Sequence, residues 1–393
     1  MLVKDIGVET DQISVTLFWA ALLFLLYTYI GYPLLTYVRR FWRRQPVRKD
    51  YKYSPLVSFL IVAYNEEKVI RLKLENALSL KYHGEPPEIV VASDGSCDKT
   101  NEIVREFQHR GVVLLQFPNR RGKTQVLNLA IPQCHGEIVV LSDSRQVYAS
   151  NAIRELVANF NDPRIGAVSG NLQFHAFPDS KDGEQIGLYW RYEKWIRRLQ
   201  SEIDSSPVVT GAIYAIRKSL FRPLPVKCIA DDLAMPMSII MQNYRVTFDQ
   251  TAKAFDHYSR TLKEEFRRRV RTIAGSYQYL VHVPKVLNPN ANRIWLDFIS
   301  HKVCRILAPF GLLILLITNG VITNWAYRLF LALQLTFYLI AVLGAILARR
   351  GEVPRILSGP YTFLMLNVAA SVALFKLLWG TQTHLWEKTK SET

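Results

Sequence analysis

The sequence predicts an α/β protein, a doubly wound and mainly parallel sheet set among membrane-length helices. Three observations predict it. Between residues 55 and 145, short β-rich apolar runs alternate with segments of helical spacing, the pattern of a sheet covered by helices on both faces. Apolar runs long enough to span a bilayer fence this region on both sides. Acidic residues stand at three points of the polar stretch: Asp94 in Val-Ala-Ser-Asp-Gly-Ser, Asp143 in Ile138-Val-Val-Leu-Ser-Asp, and Asp231-Asp232 in Cys-Ile-Ala-Asp-Asp-Leu. Two of them directly follow an apolar run, where open α/β sheets present their ligand groups.

Taken in order, residues 15–38 carry no charge and end in Arg39-Arg40-Phe-Trp-Arg43-Arg44. A cleaved signal peptide wants a basic start and a shorter core, whereas this start is acidic, so the run reads as a retained anchor. Arginines favour the cytoplasmic flank, which places residue 45 onward inside. After a basic linker, Leu56–Val62 reads as a strand, Glu66–Leu80 as a helix, Glu88–Ala92 as a strand and Asp98–His109 as a helix. Val112–Phe117 (strand), Gly122–Ile131 (helix) and Ile138–Leu141 (strand) follow. Right-handed crossovers make such a series doubly wound. Beyond Gly170 the pattern changes. Glu184–Asp204 is a helical stretch with an aromatic stripe and interleaved arginines, suited either to the membrane interface or to packing on the sheet. Residues 262–283 are a second amphipathic stretch, with Arg267, Arg268, Arg269 and Arg271 clustered. Spans are expected at 305–323 and 329–348, the second closed by Arg349-Arg350; 360–379 is apolar but holds Asn367 and Lys376, and either spans or lies in the surface.

The chain therefore divides into an anchor and linker (1–50), an α/β domain (51–260), amphipathic interface helices with the Arg-rich motif (261–304), and C-terminal membrane segments with a tail (305–393). It is expected to be an integral protein of the cytoplasmic membrane with the α/β domain facing the cytosol. The net charge of +16 over 393 residues fits basic flanks beside anionic lipid. No nucleic-acid-binding motif is present, so nucleic acid is not an expected partner. Cys97, Cys134, Cys228 and Cys304 are scattered; they form no metal spacing, and no disulfide is expected in a cytosolic domain.

The candidate chemistry lies at the strand exits. Ala63-Tyr64-Asn65-Glu66 leaves the first strand, where Asn and Glu can face a base or cap a helix. Gly95 and Ser96 tighten the turn after Asp94. Asn119-Arg120-Arg121-Gly122-Lys123-Thr124 precedes a helix; amides at a helix start with Arg and Lys favour a diphosphate, although P-loop glycine spacing is missing. Asp143 is the natural position for a divalent cation, which takes carboxylate and phosphate oxygens together. The carboxylate expected two residues on is replaced by Arg145. Asp231 and Asp232 open a helix, Leu233–Met241. As a pair they either stabilise the helix dipole or repel, raising one pKa as suits a general base.

The ordered set Ala-Tyr-Asn-Glu, Ser-Asp-Gly-Ser, Arg-Gly-Lys, Ser-Asp-Ser, Thr210-Gly-Ala-Ile-Tyr-Ala-Ile-Arg217, Ala-Asp-Asp and Arg-Arg-Val-Arg resembles the membrane-bound family-2 glycosyltransferases, the group of hyaluronan, cellulose and poly-N-acetylglucosamine synthases. The likeness covers roughly residues 55–285. It implies a GT-A-like, nucleotide-sugar-binding fold and an inverting transfer, with a UDP-sugar as the expected donor. Under it, Ala63, Tyr64, Glu66 and Asp94 match nucleotide contacts, and Lys123 a residue near the diphosphate or sugar. Asp143 matches the first Asp of the metal motif (Mg2+ or Mn2+), and Arg271 the diphosphate-binding Arg. Gly211 and Ala212 match the segment beneath the acceptor, and Asp232, beside Asp231, the base. Two departures stand out: Arg145 for the second Asp of the metal motif, and Thr272 for the tryptophan that stacks on acceptor in processive synthases. The resemblance implies a glycan or lipid-linked acceptor and leaves room for polysaccharide-export partners. Alternatives are a single-addition glycolipid-forming transferase and an inactive nucleotide-sugar-binding subunit of a secretion complex.

Overall fold

The computed structural model describes residues 2–175, 183–226, 228–257, 262–348 and 354–381. Its centre is an eight-stranded sheet: β1 (Val57–Ala63), β2 (Glu88–Asp94), β3 (Val112–Phe117), β4 (Ile138–Asp143), β5 (Val147–Tyr148), β6 (Ile165–His175), β7 (Tyr214–Arg217) and β8 (Arg245–His257). The spatial order is β3-β2-β1-β4-β7-β6-β8-β5. The first four strands are parallel, as the alternating pattern predicts. β7 then runs antiparallel to β4 and β6 antiparallel to β7, while β8 is parallel to β6. The sheet is thus mixed, mostly parallel, with an antiparallel insertion.

The β1 run is apolar because the strand is buried on both faces. Period two sends Leu60 and Val62, with Val90, Ala92, Val139 and Leu141, into one core. Phe59 and Ile61, with Ile89, Val91, Ile138 and Val140, enter the other. The first core is roofed by the helix Asp231–Ile240 and by Val286, Ile294 and Phe298; the second by the helices Ile70–Leu78 and Ala152–Ala158.

Four helical stretches are long and apolar enough to cross a membrane: Gln12–Arg43, Trp295–Val321, Trp325–Ala348 and Ile356–Leu378. The last resolves the 360–379 stretch as a helix of spanning length. Phe18, Ala21 and Leu25 of the first pack on Ala308 and Leu315 of the second. Ala369 and Ala373 let the Arg-rich helix Leu262–His282 approach through Val270, Ala274 and Tyr277, the use of small residues common between membrane helices. Arg349-Arg350 lie outside the described residues.

The basic cluster after the anchor also docks the α/β domain. Arg39 pairs with Asp297 at 2.8 Å, and Arg40 pairs with Glu202 of the helix Gly183–Ile203. That helix packs against the sheet and against the first membrane-length helix. Ile196, Leu199 and Ile203 are buried, while Trp195 stays 38% exposed against the first membrane-length helix.

Candidate active site

Registers Ala63↔Ser93 and Val62↔Asp143 set the ends of β2, β1 and β4 side by side. The chain leaves β1 toward β2 on one side and returns to β4 on the other. That makes the β1/β4 crevice a topological switch point, where ligands of open α/β sheets bind. Ala63 and Asp143 border it.

Asp94 is fully buried. Its carboxylate accepts hydrogen bonds from the backbone N–H groups of Arg121 (2.6 Å) and Gly122 (2.9 Å). It straps the 119–122 loop across the sheet edge and so aims Lys123, the first residue of the next helix. Gly95 permits this approach: its φ is +67°, and a Cβ there would stand 2.6 Å from the Arg120 nitrogen. On the same loop the Arg120 guanidinium lies 4.0 Å from the Tyr64 ring centroid, within cation–π range. Asn65, at φ +53°, accepts from the Cys97 N–H at 2.8 Å, and the Glu66 N–H donates to Thr100 Oγ1 at 2.7 Å. Gly95→Ala, which meets both a left-handed φ and a backbone clash, is expected to displace the 119–122 loop. Nucleotide-sugar affinity should fall at least tenfold by calorimetry, with little change in the membrane helices' circular dichroism.

Lys123 joins two of the three acidic points. Its ammonium is 2.8 Å from Asp143 Oδ1 and 3.0 Å from Asp231 Oδ2. The second contact is an ion pair off the line of a hydrogen bond, since Asp231 Oδ2 has no hydrogen-bond partner among the described residues. Burial alone would push the ammonium's pKa down. Asp143 and Asp231 outweigh it and hold Lys123 well above the ordinary lysine range. Gly211 forms the floor: a Cβ there would lie 3.5 Å from the Asp232 Cβ and 3.8 Å from Lys123 Nζ. The Ala212 carbonyl is fixed by the Tyr148 hydroxyl at 3.0 Å, which also reaches the Leu141 carbonyl at 3.1 Å.

Asp231 and Asp232 begin their helix as expected. Asp232 is half-buried. Burial and then the Asp231 charge raise its carboxyl above the usual range, against the fields of Lys302, Arg197 and Lys123. Arg271 is half-buried on the Arg-rich helix. One turn on, Gly275 packs on Ala230, with its would-be Cβ 3.0 Å from the Ala230 nitrogen, and Gln278 accepts from the Ile229 N–H. The Arg-rich helix is thereby clamped to the residues that precede Asp231. Arg268 and Arg269 are both committed to the buried Glu265, at 2.5 and 2.7 Å.

Sequence reasoning missed Lys302 and Arg197, whose charges bear on Asp232, and Lys73. The signal for Lys302 was its place at the mouth of an apolar span, where an ionisable residue usually has a purpose. Lys73 is 2% exposed, donates to the Gln146 carbonyl at 2.7 Å, and sits over the Tyr148 ring at 4.3 Å. Burial pulls its pKa down to about 7, with Asp143 and Asp256 opposing. The unfolded chain then binds more protons than the folded one between pH 7 and pH 10.5, so this group makes stability rise with pH across that window. Lys73→Met should flatten that rise, measured as the wild-type minus variant difference in thermal midpoint at pH 7 and pH 10; a constant difference would refute the assignment.

Residues 58–224 match the family model described as glycosyl transferase family 2. Poly-beta-1,6-N-acetyl-D-glucosamine synthase of Staphylococcus aureus is 26% identical over 230 residues, covering 57% of this chain and 55% of that protein. The probable glycosyltransferase YdaM of Bacillus subtilis is 29% identical over 290 residues, covering 68% and 66%. The chain thus spans about half the length of the first of these relatives. Among solved structures, mannosyltransferase PcManGT from Pyrobaculum calidifontis, in complex with GDP-Man and Mn2+, superposes with a TM-score of 0.73 at 22% identity, covering 93% of this chain and 99% of that one. At that identity the likeness is one of fold, and the fold is GT-A-like. Residues 58–224 thus carry a glycosyl transferase family 2 domain, flanked in the sequence by four helices long and apolar enough to cross a membrane.

Proposed function

We propose that the protein is an inverting transferase that moves a sugar from a nucleotide-sugar donor, a UDP-sugar, to a glycan or lipid-linked acceptor at the cytoplasmic membrane face, in polysaccharide synthesis. The observation that carries the reading is the Lys123 bridge between Asp143, at the switch-point crevice, and Asp231, beside Asp232. One cation thereby spans the donor side and the base side. The nucleotide lies over Ala63, Tyr64, Glu66 and the Asp94-braced loop, with Arg120 and Tyr64 as a flat wall. The acceptor hydroxyl lies over Gly211 and Ala212. Asp232 takes its proton as the oxygen attacks the anomeric carbon, and the nucleoside diphosphate leaves from the opposite face. Lys123, with Arg271, stabilises the charge that develops on the leaving diphosphate.

A divalent cation fits this site only through a single carboxylate. The Asp143 side chain is 42% exposed while one oxygen meets Lys123, position 145 is Arg, and no group of three His, Cys, Asp or Glu converges among the described residues. Mg2+ accepts one carboxylate plus substrate phosphates, so Asp143 would hold the ion together with the diphosphate. Bound there, it would add charge stabilisation to what Lys123 supplies. The flanking arginines Arg39, Arg40, Arg43 and Arg44 support a cytosolic α/β domain.

The test is incubation of detergent-purified protein with a panel of nucleotide sugars, with and without Mg2+ or Mn2+. Release of nucleoside diphosphate from one donor supports the reading and names the sugar. No release from any donor, with saturable donor binding retained, would favour an inactive binding subunit instead.

A further inference from the structure

Beyond the pair Leu141↔Tyr214 the β4–β7 ladder stops and the two strands part. One prong of this fork runs on to Asp143, at the switch-point crevice. The other is entered through Gly211 and Ala212, the floor proposed for the acceptor. The separation of the prongs therefore decides where an acceptor hydroxyl meets the anomeric carbon of a donor. Lys123 crosses the fork from one face of the sheet. Its ammonium is 2.8 Å from Asp143 Oδ1 and 3.8 Å from where a Cβ on Gly211 would stand. Its helix packs into the first core through Val126 and Leu127.

Tyr148 crosses the same fork from the other face. It belongs to the second core and is 2% exposed. Its hydroxyl lies 3.1 Å from the Leu141 carbonyl oxygen and 3.0 Å from that of Ala212, one on each prong. A tyrosine hydroxyl has a single proton to donate, so it is shared between the two. A phenylalanine ring would fill the same space. A buried hydroxyl has to find partners, and this one finds both prongs.

The ring that carries the hydroxyl is itself held. Asn76 grips the Tyr148 backbone in both directions: Oδ1 accepts from its N–H at 2.8 Å, and Nδ2 donates to its carbonyl at 3.0 Å. The ring stands edge-on to Phe59 of β1, with centroids 5.1 Å apart. On the same helix as Asn76, Lys73 sets its ammonium 4.3 Å from the ring centroid and donates to the neighbouring Gln146 carbonyl at 2.7 Å. The two crossings differ in kind. Lys123 holds the fork by charge, and an arriving diphosphate competes for that charge. Tyr148 holds it by a neutral hydroxyl that burial keeps protonated, its pKa pushed up.

We propose that Tyr148 is a positioning residue for sugar transfer: its hydroxyl keeps the Asp143 strand end and the Gly211-Ala212 floor at a fixed separation, so that the acceptor stays in line when the donor's diphosphate draws on Lys123. Tyr148 acts through two backbone carbonyls, and the role rests on the transferase reading above.

The test is Tyr148→Phe in the full chain, which removes the hydroxyl and leaves the ring between Lys73 and Phe59. Membrane vesicles containing the protein supply its native acceptor. The probe is the radiolabelled member of a UDP- and GDP-sugar panel that the wild type turns over. Label retained by the acceptor reports transfer, free labelled sugar reports donor hydrolysis, and calorimetry with UDP or GDP reports donor-side affinity. A 1 Å misplacement costs on the order of 10²-fold, so loosening the fork by part of that is expected to cut transfer about tenfold. Hydrolysis and nucleotide affinity should hold, because water needs no floor to reach the anomeric carbon. Asn76→Ala, which frees the Tyr148 backbone and keeps the hydroxyl, should show the same split, and it decides the matter if Tyr148→Phe does not fold. Unchanged transfer in Tyr148→Phe overturns the proposal. So does a parallel fall of transfer, hydrolysis and affinity, which marks a merely structural role. A wild type that transfers sugar while Tyr148→Phe matches it removes this role alone; a wild type that turns over no donor removes the transferase reading and this role with it.

Discussion

Asp232→Asn is expected to cut turnover by about 10²–10⁴-fold while leaving donor affinity within about threefold. The amide keeps the shape of the side chain and removes the basic carboxylate that, as the proposed base, would take the acceptor proton. The Lys123 bridge runs through Asp231 and Asp143, so the donor side keeps its cation. The acid limb of the pH–rate profile carries a second signature. Burial and Asp231 raise the Asp232 pKa, and a base works only when ionised, so activity should fall as pH drops through that raised value. Asp231→Asn removes the neighbouring charge and should move the limb to lower pH. Unchanged turnover in Asp232→Asn, or a limb that ignores Asp231, would remove Asp232 from the role of base.

The parallel half of the sheet is legible because its strands follow one rule. β1, β2 and β4 are apolar runs that end in Ala63, Asp94 and Asp143, and their helices begin with recognisable turns. Asp98 shows this, accepting from the Thr100 N–H at 3.0 Å as an Asx turn should. The other half of the sheet, beyond the antiparallel β7, hides because its strands bury polar groups. β8 alternates Val246, Phe248, Ala252 and Ala254 with polar residues, but Arg245, Thr247 and Asp249 are each about 5% exposed or less, so a pattern that reads as a half-exposed strand belongs to one buried on both faces. Their partners come from far along the chain: Arg245 donates to the carbonyls of Asp204, Ser201 and Gln45, and Asp249 pairs with Lys49 at 2.6 Å. The site divides the same way. Asp94, Lys123, Asp143 and Asp231-Asp232 were visible as local signals, but the Lys123 bridge was not, because it joins segments about 110 residues apart. Nor did spacing show that Asp94 organises a loop through two backbone amides. Arg197 and Lys302 belong to an interface between sheet and membrane helices that exists only once both are folded.

Lys123→Met is expected to be the most damaging single change on the donor side, lowering turnover at least 10²-fold. Removing one preorganised charge-stabilising donor costs about 2.7–4 kcal/mol in the transition state, and Lys123 is the cation shared by Asp143 and Asp231. Its loss also leaves two carboxylates facing one another, and one of them would take up a proton to relieve the repulsion. Lost stability and lost chemistry therefore arrive together and have to be separated. Lys123→Met/Asp231→Asn removes one of the repelling charges. It should recover most of the thermal midpoint lost by Lys123→Met and almost none of the turnover, a non-additive pattern expected of groups in direct contact. Mn2+ offers a further discrimination. With the ammonium gone, both Asp143 oxygens are open to a metal, so residual activity in Lys123→Met should climb more steeply with Mn2+ than the wild type does. Lys123→Arg should not substitute, because a planar guanidinium cannot take the place of a point charge between two carboxylates set for an ammonium. If Lys123→Met turns over within threefold of wild type, the cation at the centre of the site is structural, and the charge on the leaving diphosphate must be met from Arg271 and its neighbours instead.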